Sequence, residues 1–140
     1  RRREETIVSA PDAAAPHPDP SVELVRAISE HLQSDLDWTS WSVVIGLAGG
    51  RMSGTEAWAY AADGTVAPSL VRPSRLIPAL ETYLAWRYPA GEALPLKLLV
   101  QHDRTSGRYA MDFEDSDPMR WKVTPDTFEE VPRQLRPSLG

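Results

Sequence analysis

Four carboxylates lie within six residues near the C-terminal end of the sequence: Asp112, Glu114, Asp115 and Asp117. Neighbouring carboxylates can act as a general acid and base, or they can bind Ca²⁺. A calcium loop of the EF-hand type needs a glycine at its sixth position, but the sixth residue counted from Asp112 is Asp117. Two interpretations therefore rank above catalysis. The acids could form the charged outer face of an edge strand, which blocks unwanted strand pairing, or a surface that docks another protein.

An aromatic residue follows these acids in a basic context, since Trp121 lies between Arg120 and Lys122. Large aromatic side chains often anchor protein interfaces. The alternative interpretation is a tryptophan that folds the C-terminal tail onto the sheet. We predict a partner-binding surface made of five residues: Asp112, Glu114, Asp115, Asp117 and Trp121.

The other polar residues do not form a catalytic or metal-binding pattern. The sequence has no cysteine, and no two of its three histidines (His17, His31 and His102) have the spacing of a helical metal site. We interpret His102, which precedes Asp103, as a solvated histidine at a strand end. No serine lies in a Gly-x-Ser-x-Gly turn, and the glycines between residues 46 and 54 match no phosphate-binding loop. The sequence therefore predicts no catalytic residue, no metal and no cofactor.

Composition narrows the class of protein. A chain of 140 residues with 41% hydrophobic residues fits one globular domain. The net charge of −5 argues against nucleic-acid binding, which requires a basic face. The longest apolar run, Val43 to Ala48, is far shorter than the ~20 residues that span a bilayer. We see no signal peptide, and the lack of cysteine agrees with a reducing compartment, so we expect a cytoplasmic protein without a membrane partner.

Residues 1–20 contain three arginines and several prolines and alanines, which predicts a flexible N-terminal arm, although Thr6 to Val8 could add as an edge strand. Residues 21–140 then form a single domain.

Asp19-Pro20 is a typical helix start, with aspartate as N-cap and proline at the first helical position. The apolar residues of this first helix recur at three- and four-residue steps: Val22, Val25, Ile28, Leu32 and Leu36.

Alternation of period two from Trp38 onward predicts three strands, the third weak, with a turn at Asp63-Gly64. A second helix is predicted over residues 73–88, with Pro78 in its first turn. Its inward side is expected to carry five residues: Leu76, Ile77, Leu80, Leu84 and Tyr88.

A hairpin follows, and its last strand turns Tyr109, Met111 and Phe113 inward and Asp112 and Glu114 outward. A short final helix carries Phe128, Val131 and Leu135 at helical spacing. The sequence thus predicts an α+β fold with the order α-β-β-β-α-β-β-short α. We expect an antiparallel sheet of about five strands with the two main helices packed on one face.

The last hairpin resembles the YezG-like immunity protein family, whose members protect bacteria from polymorphic toxins. Residues 107–113 read Gly-Arg-Tyr-Ala-Met-Asp-Phe, the family's Gly-basic-aromatic-x-apolar-Asp-aromatic form, and the acidic pair Glu114-Asp115 follows. Versions from high-G+C bacteria also carry a downstream segment ending in tryptophan, here residues 117–121, and a Pro-Arg pair, here Pro132-Arg133. The resemblance extends over roughly residues 21–136.

The resemblance implies a protein that is not an enzyme and that neutralises a cognate toxin by covering its active site. The toxin would be a basic nuclease or NADase, because an acidic inhibitor associates fastest with a basic partner. Related domains are also fused to toxins. An accessory or targeting domain of a larger toxin, such as an NAD-glycohydrolase toxin, is therefore the alternative, and an unrecognised small hydrolase is a third.

Overall fold

The computed structural model describes residues 2–7 and 19–139 of the chain. Its helices are α1 (Pro20–His31), α2 (Pro73–Arg87) and α3 (Glu130–Gln134). Its strands are β1 (Arg2–Ile7), β2 (Trp38–Ala48), β3 (Arg51–Ala61), β4 (Val66–Ser69), β5 (Lys97–Asp103) and β6 (Tyr109–Glu114). The α+β class and the predicted order of elements from α1 onward are confirmed. Among the described residues, no helix is both long and apolar enough to cross a bilayer.

The strands form one antiparallel sheet in the order β1-β6-β5-β2-β3-β4. The sheet has one strand more than the five predicted. This additional strand is β1, which pairs with β6 so that Ile7 lies opposite Tyr109. The prediction of a flexible arm is therefore wrong for residues 2–7, which form an edge strand. The alternative, an edge strand at Thr6 to Val8, overlaps it at Thr6 and Ile7. For residues 8–18 the prediction lies outside the described part of the chain.

Helix α1 begins as the sequence indicates. Oδ1 of the N-cap Asp19 accepts a hydrogen bond from the backbone N–H of Ser21 at 2.8 Å, and Pro20 occupies a position that needs no N–H. The helix ends at His31, so its predicted extension to Leu36 is wrong. Past that end, the backbone of Gln33 turns to an isolated bridge with Leu70, and this pairing replaces another helical turn.

Helix α2 differs from the prediction in two details. Its first residue is Pro73, which places Pro78 in the second turn, where a proline removes one N–H from the helical ladder. Its buried residues are Leu76, Leu80, Tyr83 and Leu84. Ile77, which was predicted to face inward, is 40% exposed, because it lies one residue around the helix from this stripe.

The main hydrophobic core lies between the sheet and the two long helices. Tyr109, Met111 and Phe113 face this core, as predicted, and all three are buried. The other strands contribute Trp41, Val43, Ile45, Leu98 and Val100. Strict alternation along β2, β5 and β6 therefore directs one set of side chains toward α1 and α2.

A second, smaller core covers the opposite face of the sheet. Val131 and Leu135, from α3 and its C-cap, pack on four sheet residues: Val44, Trp58, Tyr60 and Leu99. The side chains of Ser42 and Gln101 both donate hydrogen bonds to the carbonyl oxygen of Leu135. The end of the chain is thus held against the sheet, and the central strand β2 is buried on both faces.

Candidate functional site

The predicted partner-binding residues begin at the end of β6. Glu114 is only 4% exposed, and its Oε2 accepts hydrogen bonds from the backbone N–H groups of Ser116 and Asp117 at 3.1 and 3.0 Å. The hydrogen bond from Asp117 is the main reason that the pKa of Glu114 is lowered to about 2. The expectation that Glu114 presents its charge to a partner is therefore wrong, because the chain itself uses this carboxylate to fold the following loop.

Arg120 ties this loop to β6. Its Nη2 donates to Oδ2 of Asp112 at 2.9 Å, and its Nη1 donates to Oε1 of Glu114 at 3.3 Å. The guanidinium also lies 4.2 Å from the ring centroid of Trp121. Nζ of Lys97, on the neighbouring strand β5, donates to the Arg120 carbonyl oxygen at 2.7 Å, and burial lowers the pKa of this lysine. The two β6 carboxylates thus serve mainly to position residues 115–121.

The sheet order excludes one interpretation of these acids. Strand β6 lies between β1 and β5, so it is not an edge strand. The acids after Phe113 therefore do not protect a free edge. They lead the chain away from the sheet.

Asp115 and Asp117 differ in exposure. Asp117 is exposed, and its Oδ1 accepts a hydrogen bond from the backbone N–H of Met119 at 2.9 Å, whereas Asp115 is half-buried. Met119 follows with 57% of its surface exposed. The loop therefore presents an apolar side chain two residues after a carboxylate.

Trp121 does not project into solvent. It is half-buried against the second core and has a φ of 62°, a conformation that costs a residue other than glycine about 1–2 kcal/mol. This packing is the alternative foreseen from the sequence, in which the tryptophan folds the tail onto the sheet. Beside it lies a cleft of about 380 Å³, lined in part by Gln101, Asp112, Arg120 and Gln134.

A second apolar side chain was missed by sequence reasoning. Phe128 was expected at helical spacing with Val131, but α3 begins only at Glu130, and Phe128 is 58% exposed. The available signal was its acidic surroundings, since Asp126 precedes it and Glu129 follows it. Segment 115–130 also carries the exposed Lys122, so its charges are mixed, with acids in excess. We give the name C-terminal surface to seven residues of this segment: Asp115, Asp117, Met119, Asp126, Phe128, Glu129 and Glu130.

The histidines and acids of the described residues include no group of three or more that could hold a metal ion. His102 was interpreted as solvated, but it is half-buried, and its ring centroid lies 5.7 Å from that of Trp41. Its place on β5 opposite Trp41 explains this, because the two residues share the face that α1 covers.

Comparison with known proteins adds no relative. No protein-family model, curated protein or solved structure matches this chain.

Proposed function

We propose that this protein is an immunity protein of the YezG-like kind, which binds a cognate bacterial toxin in the cytoplasm and neutralises it by covering the toxin's active site. The observation that carries the proposal is the C-terminal surface. There, two exposed apolar side chains, Met119 and Phe128, stand among carboxylates along one segment of the chain.

The composition of this surface favours a protein partner. Exposed large apolar side chains are typical of interaction sites, and they supply affinity once they are buried. Surrounding carboxylates attract a basic partner over distance and raise the association rate. A basic nuclease or NADase fits both requirements.

The loop that carries Met119 is held in place before any partner binds. Glu114 accepts two backbone hydrogen bonds at its start, and Arg120 fixes its end to Asp112. A preorganised loop loses less conformational entropy on binding than a mobile one. Under this proposal Asp112, Glu114 and Trp121 position the surface, while Asp117 and Met119 make the contact.

The test is rescue from toxicity. The gene next to the one encoding this chain is expressed in a bacterial host, alone and together with the chain, and growth is measured. We expect the neighbouring product to arrest growth and the chain to restore it. Purified chain should also form a complex with that product in gel filtration.

A double variant tests whether the rescue depends on the C-terminal surface. The double variant M119S/F128S removes the exposed apolar groups without touching either core, so it should fold normally and fail to restore growth. An arrest that the unaltered chain does not relieve, or a neighbouring product that is harmless, would overturn the proposal. Equal rescue by the double variant would refute the assigned surface.

A further inference from the structure

A separate cleft lies on the other face of the sheet, between α1 and the turn end of the β5–β6 hairpin. Its volume is about 220 Å³, and the residues that line it include Val22, Val25 and Tyr109. Sites for drug-sized ligands usually measure 300–1,000 Å³. A ligand of this cleft must therefore be small, with one ring or two fused rings.

The lining includes one side chain whose hydrogen-bonding role can be assigned. Nδ1 of His102 lies 3.2 Å from the carbonyl oxygen of Arg108. Because a carbonyl oxygen only accepts, Nδ1 must carry the proton of the neutral ring, and Nε2 keeps a lone pair that can accept a hydrogen bond. Burial lowers the pKa of His102, which favours the neutral ring.

A second polar group in the lining can donate. Oγ of Ser29 accepts a hydrogen bond from Nε1 of Trp41 at 3.1 Å. That bond occupies a lone pair of the hydroxyl and leaves its proton available. The residues that line the cleft thus include one on β5 that can accept a hydrogen bond and one on α1 that can donate one.

The charge of the lining limits the charge that a ligand of this cleft can carry. Among the lining residues that the structure describes, Arg26 is the one charged residue, and its Nη1 pairs with Oε1 of Glu23 at 2.9 Å on the exposed side of α1. Both side chains of this pair are largely exposed (53% and 43%), so solvent screens the guanidinium, and the described lining offers no buried charge to an ionic ligand. We infer that it binds a small, neutral, planar aromatic molecule carrying an N–H or O–H group, with His102 as the acceptor. This site is distinct from the C-terminal surface and does not depend on the proposed function.

The experiment uses three indoles as probes and follows amide shifts in NMR titrations. Indole and 3-methylindole carry the N–H donor, whereas 1-methylindole has nearly the same shape as 3-methylindole and lacks it. We expect the two donors to perturb the amides of Val22, Gly107 and Tyr109. They should bind about fivefold more tightly than 1-methylindole, the usual effect of one hydrogen bond.

Two variants complete the test. H102F keeps a ring beside Trp41 but removes the acceptor, so it should weaken indole about fivefold and leave 1-methylindole unchanged. V22W fills the cleft and should abolish binding of all three probes. The inference is overturned if no probe perturbs these amides. It also fails if 1-methylindole binds the unaltered chain as tightly as 3-methylindole does, a comparison that stands even if H102F does not fold.

Discussion

The hydroxyl of Tyr60 donates a hydrogen bond to the carbonyl oxygen of Pro132 at 2.5 Å, across the second core. The two residues are separated by most of the second half of the chain, and the bond joins β3 to α3. Burial raises the pKa of Tyr60 to about 12, so the hydroxyl stays protonated and keeps donating throughout the physiological range. This hydrogen bond joins those that Ser42, Gln101 and Arg136 make in holding the C-terminal segment against the sheet.

Replacing Tyr60 with phenylalanine tests how much this hydrogen bond contributes to stability. Y60F leaves the ring in place but removes the donor, so the Pro132 carbonyl oxygen remains buried without it. We expect the free energy of unfolding to fall by about 1–2 kcal/mol in urea titrations. A Y60F protein as stable as the parent would show that the bond contributes nothing.

Glu114 should make stability depend on pH in the acid range. The pKa of Glu114 is about 2 in the folded protein, against an ordinary value of 4.5. Its contribution to the free energy of unfolding is therefore complete above about pH 4.5 and is lost as the pH falls toward 2. E114Q should cost about 2 kcal/mol at pH 7, because charged acceptors form the stronger hydrogen bonds.

The comparison with E114Q isolates this effect from other carboxylates. The difference in unfolding free energy between parent and variant should shrink steadily as the pH falls below 4.5. E23Q, at an exposed ion pair on α1, should cost less than about 0.5 kcal/mol at any pH. If the difference in unfolding free energy between the parent and E114Q stays constant between pH 7 and pH 3, the assigned role of the Glu114 carboxylate is contradicted.

Trp121 should reveal backbone strain when its side chain is removed. Glycine adopts a φ of 62° without cost, whereas alanine does not. W121G should therefore be more stable than W121A by about 0.5 kcal/mol, although glycine gains more entropy on unfolding. Both variants lose the packing of the ring on the second core, so this loss cancels in the comparison. Greater stability of the alanine variant would show that the backbone relaxes at this position.

Met111 tests the orientation of β6. Its side chain is buried between the sheet and the helices, so M111D would place an unpaired charge in the main core and should unfold the domain. R108D, on the exposed side of the same hairpin, is the control and should melt close to the parent temperature. An unchanged melting curve for M111D would refute the assigned face.

Reversal of charge on the C-terminal surface should slow binding to the cognate toxin. D115K/D117K is expected to lower the association rate strongly at low salt and much less at high salt, because screening removes long-range attraction. D35K/D37K changes the net charge equally, at two exposed positions before β2, and should have a smaller effect. Surface plasmon resonance at several salt concentrations measures both. If the two variants behave alike, net charge rather than the surface controls association.

Local patterns predicted most of the fold. The alternation through Met111 gave the face of β6 correctly, and the Asp19-Pro20 pair gave the start of α1. Such patterns depend on neighbours in sequence, and they do not reveal what later covers a strand. The outward direction of Glu114 was correct, but its burial depends on Arg120 and on the loop that folds over it.

The candidate site was harder to predict for the same reason. Asp117 is exposed as expected, whereas Trp121 packs against the second core. The exposed large apolar side chains of that segment are Met119 and Phe128. Exposure of an apolar side chain is decided by which elements reach it, and neither periodicity nor composition contains that information. The pairing of β1 with β6 could not be predicted either, because it joins the two strands that lie farthest apart in sequence.

That pairing has a consequence for how the chain is made. Arg2 lies opposite Glu114, so β1 leaves the ribosome well before β6, the strand with which it pairs, has been synthesised. Contacts of such long sequence separation form slowly, because the intervening chain must first lose its freedom. We expect β1 to dock last, after the hairpins and α1 have assembled, and the outer edge of β6 to stay open to other strands until then.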